Sequence, residues 1–344
     1  MGMTTVAYLA VAPEGRTEAD QIYWRSEALP GLQRLTDAVH ATGAKVSAQI
    51  GHAGPVANAR STGLPSIAPS TRLNPLAMGL DKAATEEDIE RIIRQHADAA
   101  EMAVDVGFDA VEVHLGHNYL ISSFLSPKIN HRKDGWGGSL ENRARFARRT
   151  LEAVRERVDG RAAVLAKMNM ADGVPGGFWL EESIPFAKML ESDGTLDALE
   201  LTGGSSLLNP MYLFRGDIPL DEMAKSQLPI VQLGMKMFGW AVFKKYPYEP
   251  LYFRDYALQF RAELDMPLVL LGGVTDHAGM TTAMRDGFQF VAMARALLRE
   301  PDLIHTIEAD QAKKSLCIHC NLCAASIFEG TRCPIIMPKS PMAG

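Results

Sequence analysis

The residues most suited to chemistry are His114, His117 and Tyr119, which stand within a stretch of six. A short, largely apolar run precedes them at 109–113, and it predicts a buried strand that ends where they begin. Imidazoles donate hydrogen bonds and exchange protons near neutral pH, whereas a phenol keeps its proton there. The three side chains therefore predict a site that binds a polar group or transfers a proton.

The spacing of these residues leaves three interpretations open. His114 and His117 could ligate a metal together with Glu112, because alternate residues of a strand share a face. They could instead be two core histidines with satisfied hydrogen bonds. In the third interpretation, both imidazoles donate to a substrate oxygen while Tyr119 supplies a proton.

Polar residues also lie near the ends of other predicted strands, where parallel barrels carry their chemistry. Gln49 lies near the end of one strand, and Lys167 lies among apolar residues inside another. Lys167 is either the partner of a buried carboxylate, such as Glu112 or Glu200, or a fixed positive charge beside an electron-accepting ring. The sequence leaves both interpretations open.

A phosphate site is predicted near the last two strands. Gly272 and Gly273 end one of them, and Ala294 and Arg295 end the next. Glycines let the backbone approach an anion closely, amide N–H groups point at it, and arginine supplies a planar charged fork. Barrels often bind a phosphate after strands seven and eight, so we expect these four residues to form that site.

The elements that position these residues are alternating strands and helices, which is typical of βα units around a parallel sheet. The strands are predicted at 3–7, 45–50, 109–114, 162–168, 196–201, 267–271 and 288–293. The helices are predicted at 30–42, 86–106, 140–158, 181–191, 253–263, 278–286 and 302–309. Seven units are one fewer than the eight that close a (β/α)8 TIM barrel. We expect an α/β barrel whose first βα unit would precede Met1.

The segment between residues 201 and 250 is exceptional, because no regular element is obvious in it although it is rich in large apolar residues. Long loops in compact domains are usually functional or disordered. The apolar content predicts a packed lid over a pocket.

Composition favours a small-molecule partner. The chain has 344 residues and a formal net charge of -6, and it offers no basic stripe for nucleic acid and no polybasic segment for lipid. Neither a signal-peptide pattern nor an apolar stretch of about 18 residues is present, so no membrane span is expected. The four cysteines lie between residues 317 and 333, which argues for a cytoplasmic protein without a disulfide framework. The oligomeric state, including a homo-oligomer, is left open.

Residues 114–146 carry a resemblance to a known family. They read HLGHNYLISSFLSPKINHRKDGWGGSLENRARF, which is similar to the pattern of the Old Yellow Enzyme family of NADH:flavin oxidoreductases. The resemblance covers almost the whole chain, and members of this family are FMN-binding barrels. It implies an ene-reductase that uses NADH or NADPH to reduce an activated C=C bond conjugated to a carbonyl group.

The resemblance also implies roles for individual residues. Gln49 would hydrogen-bond the flavin pyrimidine edge, and Lys167 would lie near N1 and the C2 carbonyl. His114 and His117 would bind the substrate carbonyl oxygen, so that the C=C bond is polarised toward hydride from flavin N5. Tyr119 would then protonate the other carbon. The FMN phosphate would be held by Gly272, Gly273, Ala294 and Arg295.

Several features depart from the family pattern. The first strand and helix have no counterpart here, Ala294 replaces the usual glycine before Arg295, and Asn118 replaces the usual glycine before Tyr119. The change at Asn118 could alter the turn that aims the tyrosine. The alternative hypothesis is a truncated barrel that does not close and has no flavin activity, acting as a fragment or a metal-binding remnant.

The cysteine tail is a separate feature, so we expect a barrel over residues 1–312 and a tail over 313–344. The tail reads Cys-x2-Cys-x2-Cys-x9-Cys, which is similar to, but shorter than, the pattern that holds a 4Fe-4S cluster in dienoyl-CoA reductases and trimethylamine dehydrogenase. Four thiolates can ligate an iron–sulfur cluster or zinc, and the other interpretation is a reduced remnant without metal. The candidate ligands are Cys317, Cys320, Cys323 and Cys333.

Overall fold

The computed structural model describes residues 2–74, 79–225, 229–327 and 330–338. The chain divides into two compact units, of which the first comprises Met1–Leu207 and Gln259–Leu268 and the second comprises Leu208–Leu258 and Val269–Gly344. The barrel boundary at residue 312 stays a prediction. Among the described residues, none of the helices has the length and apolar character needed to cross a membrane.

Strands and helices alternate through the described residues. The strands are β1 (Met3–Ala10), β2 (Lys45–Gly51), β3 (Ile67–Ala68), β4 (Arg72–Asn74), β5 (Gly79–Ala83), β6 (Ala110–Leu115), β7 (Ala163–Asn169), β8 (Ala198–Thr202), β9 (Leu268–Leu271) and β10 (Phe290–Ala292). The helices are α1 (Leu29–His40), α2 (Ala59–Thr62), α3 (Glu86–Asp105), α4 (Leu120–Leu125), α5 (Leu140–Val158), α6 (Leu180–Asp193), α7 (Leu220–Lys225), α8 (Pro229–Val242), α9 (Arg254–Arg261), α10 (His277–Arg285), α11 (Arg295–Arg299), α12 (Leu303–Ala309) and α13 (Leu322–Ala325).

All seven predicted strands and all seven predicted helices are present, with boundaries shifted by a few residues. The three short strands β3, β4 and β5, which form a small separate sheet, were not predicted. They have two to five residues each, which is too short for an alternating pattern to be recognised.

The expectation that the segment between residues 201 and 250 lacks regular structure was wrong. It contains α7 and α8, while residues 226–228 lie outside the described part. The sequence of α8 reads PIVQLGMKMFGWAV, with a glutamine and a lysine as its only charged or amide side chains. An apolar segment without a polar face gives no helical periodicity, and it was therefore interpreted as a loop.

In the first unit, five parallel strands follow the order β1-β2-β6-β7-β8. Along β6 the apolar residues Val111, Val113 and Leu115 are fully buried and alternate with the polar residues Glu112 and His114, which are nearly as buried. Because successive strand residues point to opposite faces, one face of the sheet packs in the apolar core and the other carries polar groups. Of the candidate site residues, Gln49, His114 and Lys167 lie on the polar face, whereas His117 and Tyr119 follow the end of β6.

Strand register places these polar residues side by side. Gln49 of β2 pairs with Glu112 of β6. On β7, Lys167 pairs with His114 of β6 and with Glu200 of β8. Residues in register on neighbouring parallel strands lie about 5 Å apart, so the sheet brings together side chains that are far apart in the sequence.

Gly54 packs against Leu120, the first residue of α4, and its backbone conformation favours glycine. Gly54 has φ +59°, and a Cβ there would lie 2.6 Å from Leu120 Cα. We expect Gly54→Ala to lower the free energy of unfolding by about 2–4 kcal/mol, through overpacking and backbone strain. Gly31→Ala in α1, where the nearest atom is Arg34 Nη2 at 3.7 Å, should instead be neutral or stabilising by up to about 1 kcal/mol. Equal unfolding free energies for the two variants in urea would contradict this account.

Candidate functional site

A buried charged row crosses the polar face of the sheet. Gln49 Nε2 donates to Glu112 Oε1 at 2.6 Å. Lys167 Nζ lies 3.4 Å from Glu112 Oε1 and 3.0 Å from Glu200 Oε1. The interpretation of Lys167 as the partner of buried carboxylates is therefore confirmed, for both carboxylates. Its role beside an electron-accepting ring stays a prediction.

The protonation of this row follows from its charges. Burial alone would lower the pKa of Lys167, but the negative charges of Glu112 and Glu200 outweigh it and raise that pKa above its usual value. Burial raises the pKa of Glu200 to about 7, against the opposing charge of Lys167. The lysine therefore stays charged at neutral pH, while Glu200 is poised to gain or lose a proton there.

The two histidines meet at the end of β6. His114 Nε2 and His117 Nδ1 are 3.3 Å apart, and His117 Nε2 lies 3.0 Å from Thr202 Oγ1. When the threonine hydroxyl donates to Nε2, the proton of a neutral His117 ring is on Nδ1, facing His114. If His114 carries its own proton on Nε2, both facing nitrogens can donate to one acceptor oxygen placed beside the pair.

The turn after β6 has a left-handed conformation at two residues, His117 (φ +60°) and Asn118 (φ +57°). His117 N donates to Asn169 Oδ1 at 3.0 Å, and Asn169 Nδ2 donates to Asp172 Oδ1 at 2.9 Å and to Gly204 O at 2.8 Å. Asn118 Nδ2 also donates to Asp172 Oδ1, at 3.1 Å. Asparagine adopts this conformation more readily than most residues, and its side chain fixes the turn.

Tyr119 follows this turn and immediately precedes α4. Its ring packs edge-on against His114, with centroids 4.7 Å apart, and against Tyr8, with centroids 5.3 Å apart. Burial raises the pKa of Tyr119 to about 12, so the hydroxyl keeps its proton through the physiological range.

Sequence reasoning missed Tyr8 and Thr202 as members of this site. The Tyr8 hydroxyl donates to Gly15 O, and burial raises the pKa of Tyr8 well above its usual value. Tyr8 lies in β1 just beyond the predicted end of that strand. The other candidate residues were found because they also lie near strand ends. Its position there was the signal that could have identified it.

Burial also keeps both histidines neutral. It lowers the pKa of His117 to about 3, helped by the charge of Lys167. Burial lowers the pKa of His114 well below its usual value, and the neighbouring His117 ring and the charge of Lys167 add to the effect. Near neutral pH each ring is therefore neutral and carries one N–H donor and one acceptor nitrogen.

This neutrality predicts a pH dependence of stability. A folded-state pKa that is depressed relative to an unfolded value of about 6.5 makes the unfolding free energy fall as pH falls, by about 1.4 kcal/mol per pH unit for each histidine. We expect His117→Asn to reduce this slope by about that amount between roughly pH 4 and pH 6. The exposed His305 gives the control, because His305→Asn should leave the slope unchanged. Identical slopes for the two variants in urea unfolding would contradict the assigned charge state.

In the second unit, all four residues of the predicted phosphate site line one cleft. Gly272 (φ +105°) and Gly273 (φ +81°) follow β9, and Ala294 and Arg295 follow β10. The cleft is also lined by Tyr248, Tyr252 and His319. A Cβ on Gly273 would lie 2.7 Å from Leu251 N, so the backbone itself requires glycine there. A cleft with glycine backbone and a guanidinium fits a phosphate group.

The four cysteines of the tail are free thiols and partly buried. Burial raises the pKa of Cys317 and the pKa of Cys323, so both stay protonated in the absence of a metal. Within residues 2–74, 79–225, 229–327 and 330–338, no group of three His, Cys, Asp or Glu side chains is arranged to hold a metal ion. The metal-binding role of the tail stays a prediction.

The metal interpretation of His114, His117 and Glu112 also receives no support in the described part of the chain. The Glu112 carboxylate points to Gln49 and Lys167 instead. The two histidines contact each other and Thr202.

The family model and the related sequences that match this chain are all oxidoreductases. Residues 1–198 match the NADH:flavin oxidoreductase / NADH oxidase family. The chain is 54% identical to a 4,4'-dithiodibutanoate disulfide reductase of Rhodococcus erythropolis, over 99% of this chain and 86% of that protein. It is 31% identical to an NADPH dehydrogenase of Geobacillus thermodenitrificans, over 70% of each chain.

Comparison with solved structures addresses the fold. The chain resembles an old yellow enzyme homologue from Zymomonas mobilis with a TM-score of 0.69 and 20% identity, over 92% of this chain and 82% of that one. This likeness confirms the predicted α/β barrel class. Three further structures match with TM-scores of 0.77, 0.77 and 0.79, and the chain spans about half of their length.

Proposed function

Because this chain belongs to the NADH:flavin oxidoreductase / NADH oxidase family and is therefore an oxidoreductase, we propose that it uses FMN to pass hydride from NADH or NADPH to a small acceptor. When bound, FMN supplies the hydride at N5. The residues of this chain bind and orient the reactants, and they hold the proton that the product needs.

Two groups of residues suit the cofactor. In the first unit, Gln49 offers an amide and Lys167 a charged ammonium group on the same polar face of the sheet, which suits the polar edge of a flavin ring. In the second unit, the cleft described above suits the phosphate, with Arg295 as its cation. The four phosphate residues proposed are Gly272, Gly273, Ala294 and Arg295.

The acceptor that this geometry supports best is a C=C bond conjugated to a carbonyl group. The observation that carries the proposal is the 3.3 Å separation of His114 Nε2 and His117 Nδ1, with Tyr119 packed against His114. The two N–H groups would hold the carbonyl oxygen and stabilise the negative charge that develops on it when hydride adds to the β-carbon. Tyr119 would then give its proton to the α-carbon, which completes the reduction.

A second acceptor is a small disulfide, which is favoured by the 54% identity to a protein named as a disulfide reductase. Hydride would add to one sulfur, the S–S bond would break, and the other sulfur would leave as a thiolate. A thiol with a pKa of about 8.5 leaves as its anion without a strong acid. His114 and His117 could donate to that thiolate, and Tyr119 would not be needed for the step.

The proposal is tested on purified full-length protein. We expect a yellow protein after reconstitution with FMN, whose flavin absorbance bleaches anaerobically on addition of NADH or NADPH. Reoxidation by a cyclic enone and by 4,4'-dithiodibutanoate then ranks the two acceptors. A protein that binds no FMN, or whose flavin is not reduced by either nucleotide, would overturn the proposal.

The cysteine tail adds a separate proposal, that Cys317, Cys320, Cys323 and Cys333 hold a 4Fe-4S cluster, with zinc as the alternative. Free cysteines of this kind suit the reducing cytoplasm. Iron, sulfide and zinc analysis of anaerobically purified protein tests it. We expect about four irons per chain for the cluster. A protein that contains neither iron nor zinc above background would contradict the proposal.

A further inference from the structure

We propose that Asn321, in the cysteine tail, is a positioning residue that holds the Arg295 guanidinium for the phosphate of the cofactor. The inference rests on the proposed function, because it takes FMN as the ligand of the cleft. It gives the tail a role in binding the flavin that does not depend on a metal.

The Asn321 side chain makes three hydrogen bonds. Its Oδ1 accepts from Arg295 Nη1 at 2.5 Å, and its Nδ2 donates to Phe214 O and to Asp217 O, both at 2.8 Å. Only one orientation of the amide satisfies these three contacts, because the oxygen must face the guanidinium and the nitrogen must face the carbonyls. Asn321 is 2% exposed, so these contacts are shielded from water.

Among the residues that the structure describes, Arg295 is held by neutral acceptors alone. Its Nη1 also donates to Arg215 O at 2.9 Å, and its Nη2 lies 3.5 Å from the Tyr252 hydroxyl. No carboxylate among the described residues lies within ion-pair distance of this guanidinium, whereas Arg254 in the same unit pairs with Asp286. A partly buried cation without a counter-ion is costly, and an anionic ligand would remove that cost. The charge of Arg295 is therefore positioned and left available.

The tail also forms one wall of the cleft. His319 lies two residues before Asn321, and its ring stacks on Tyr248 with centroids 3.3 Å apart and an interplanar angle of 10°. Both rings line the cleft together with Arg295. The tail thus contacts the cleft at two points, through one amide and one ring, and the amide contact is the one that acts on the charged group.

If Asn321 served only to stabilise the fold, its replacement would affect flavin binding differently. Loss of packing at Asn321 would weaken every flavin, whereas misplacing Arg295 would weaken only a flavin that carries a phosphate. FMN and riboflavin differ by that group alone. The ratio of the two affinities therefore separates a positioning role from a structural one.

The experiment titrates the apoprotein with FMN and with riboflavin and follows the quenching of flavin fluorescence. Asn321→Ala removes a hydrogen bond to a charged group, and we expect FMN to bind about 10–100-fold more weakly while riboflavin stays within about twofold. Asn321→Asp places a carboxylate beside Arg295, and we expect the same selective loss because the guanidinium is then neutralised. Asn209→Ala removes another buried amide of this unit and should change neither affinity.

The results distinguish failure of the Asn321 role from failure of the proposed function. Equal weakening of FMN and riboflavin in both Asn321 variants, or no weakening in either, would overturn this inference while leaving the proposed function intact. If the unmodified protein binds no FMN, the proposed function fails and this inference fails with it. Retained riboflavin binding shows that a variant is folded.

Discussion

Tyr119→Phe should lower the rate of C=C reduction by about 10²–10⁴-fold, which is the usual contribution of a positioned general acid. Burial raises the pKa of Tyr119 to about 12, so the hydroxyl carries the proton that the phenylalanine variant lacks. Anaerobic stopped-flow measurement of flavin reoxidation by a cyclic enone gives the rate. Reduction of the flavin by NADH or NADPH should be unchanged, because that step needs no proton from Tyr119.

Two controls make this result specific. Tyr8→Phe removes a hydroxyl from the adjacent ring, but that hydroxyl is bonded to Gly15 O, so we expect less than about a tenfold effect. Reoxidation of Tyr119→Phe by a disulfide should proceed at the normal rate, since a thiolate leaves without an acid. Equal losses in the two tyrosine variants, or an equal loss with both acceptors, would remove Tyr119 from the proposed role.

Lys167→Met should lower the free energy of unfolding by about 3–5 kcal/mol, the cost of leaving buried charge without its partner. The variant leaves Glu112 and Glu200 close together without a cation. The loss should be larger at about pH 8 than at about pH 5, because Glu200, whose pKa burial raises to about 7 when Lys167 is present, is ionised and stabilised by Lys167 only at the higher pH. Urea unfolding at both pH values measures the difference.

The double variant Lys167→Met with Glu200→Gln gives the matched control. It removes one of the two carboxylates, so we expect it to recover part of the lost stability at about pH 8 and little at about pH 5. Glu200→Gln alone should abolish the decrease in stability that accompanies ionisation of Glu200, whose folded pKa lies above its unfolded value. A double variant as unstable as Lys167→Met at about pH 8 would show that the carboxylates are not the source of the cost.

Much of the site could be predicted because parallel strands deliver their carboxyl ends to one edge. Local patterns were enough to locate His114, Lys167 and Glu200 near strand ends, and strand register brought them together. The same reasoning placed Gly273 and Arg295 at one cleft. None of these steps required knowledge of contacts between distant side chains.

What could not be predicted depends on such contacts or on missing periodicity. The hydrogen bond between Asn321 and Arg295 joins residues that are 26 positions apart, and no local sequence pattern predicts it. Helix α8 is apolar on nearly every side, and the small sheet of β3, β4 and β5 is too short to show alternation. The left-handed turn at His117 and Asn118 depends on Asp172 and Asn169, which come from a different strand end.

The alternation along β6 limits which insertions and deletions this chain can tolerate. Glu112 and His114 share their strand with Val111 and Val113, so the reactive face and the packed face are encoded in the same few positions. One inserted or deleted residue in β6 would exchange the two faces and place the carboxylate and the imidazole in the apolar core. Such length changes would remove activity and foldability together, whereas the loops after the strands can vary in length and tune the choice of acceptor.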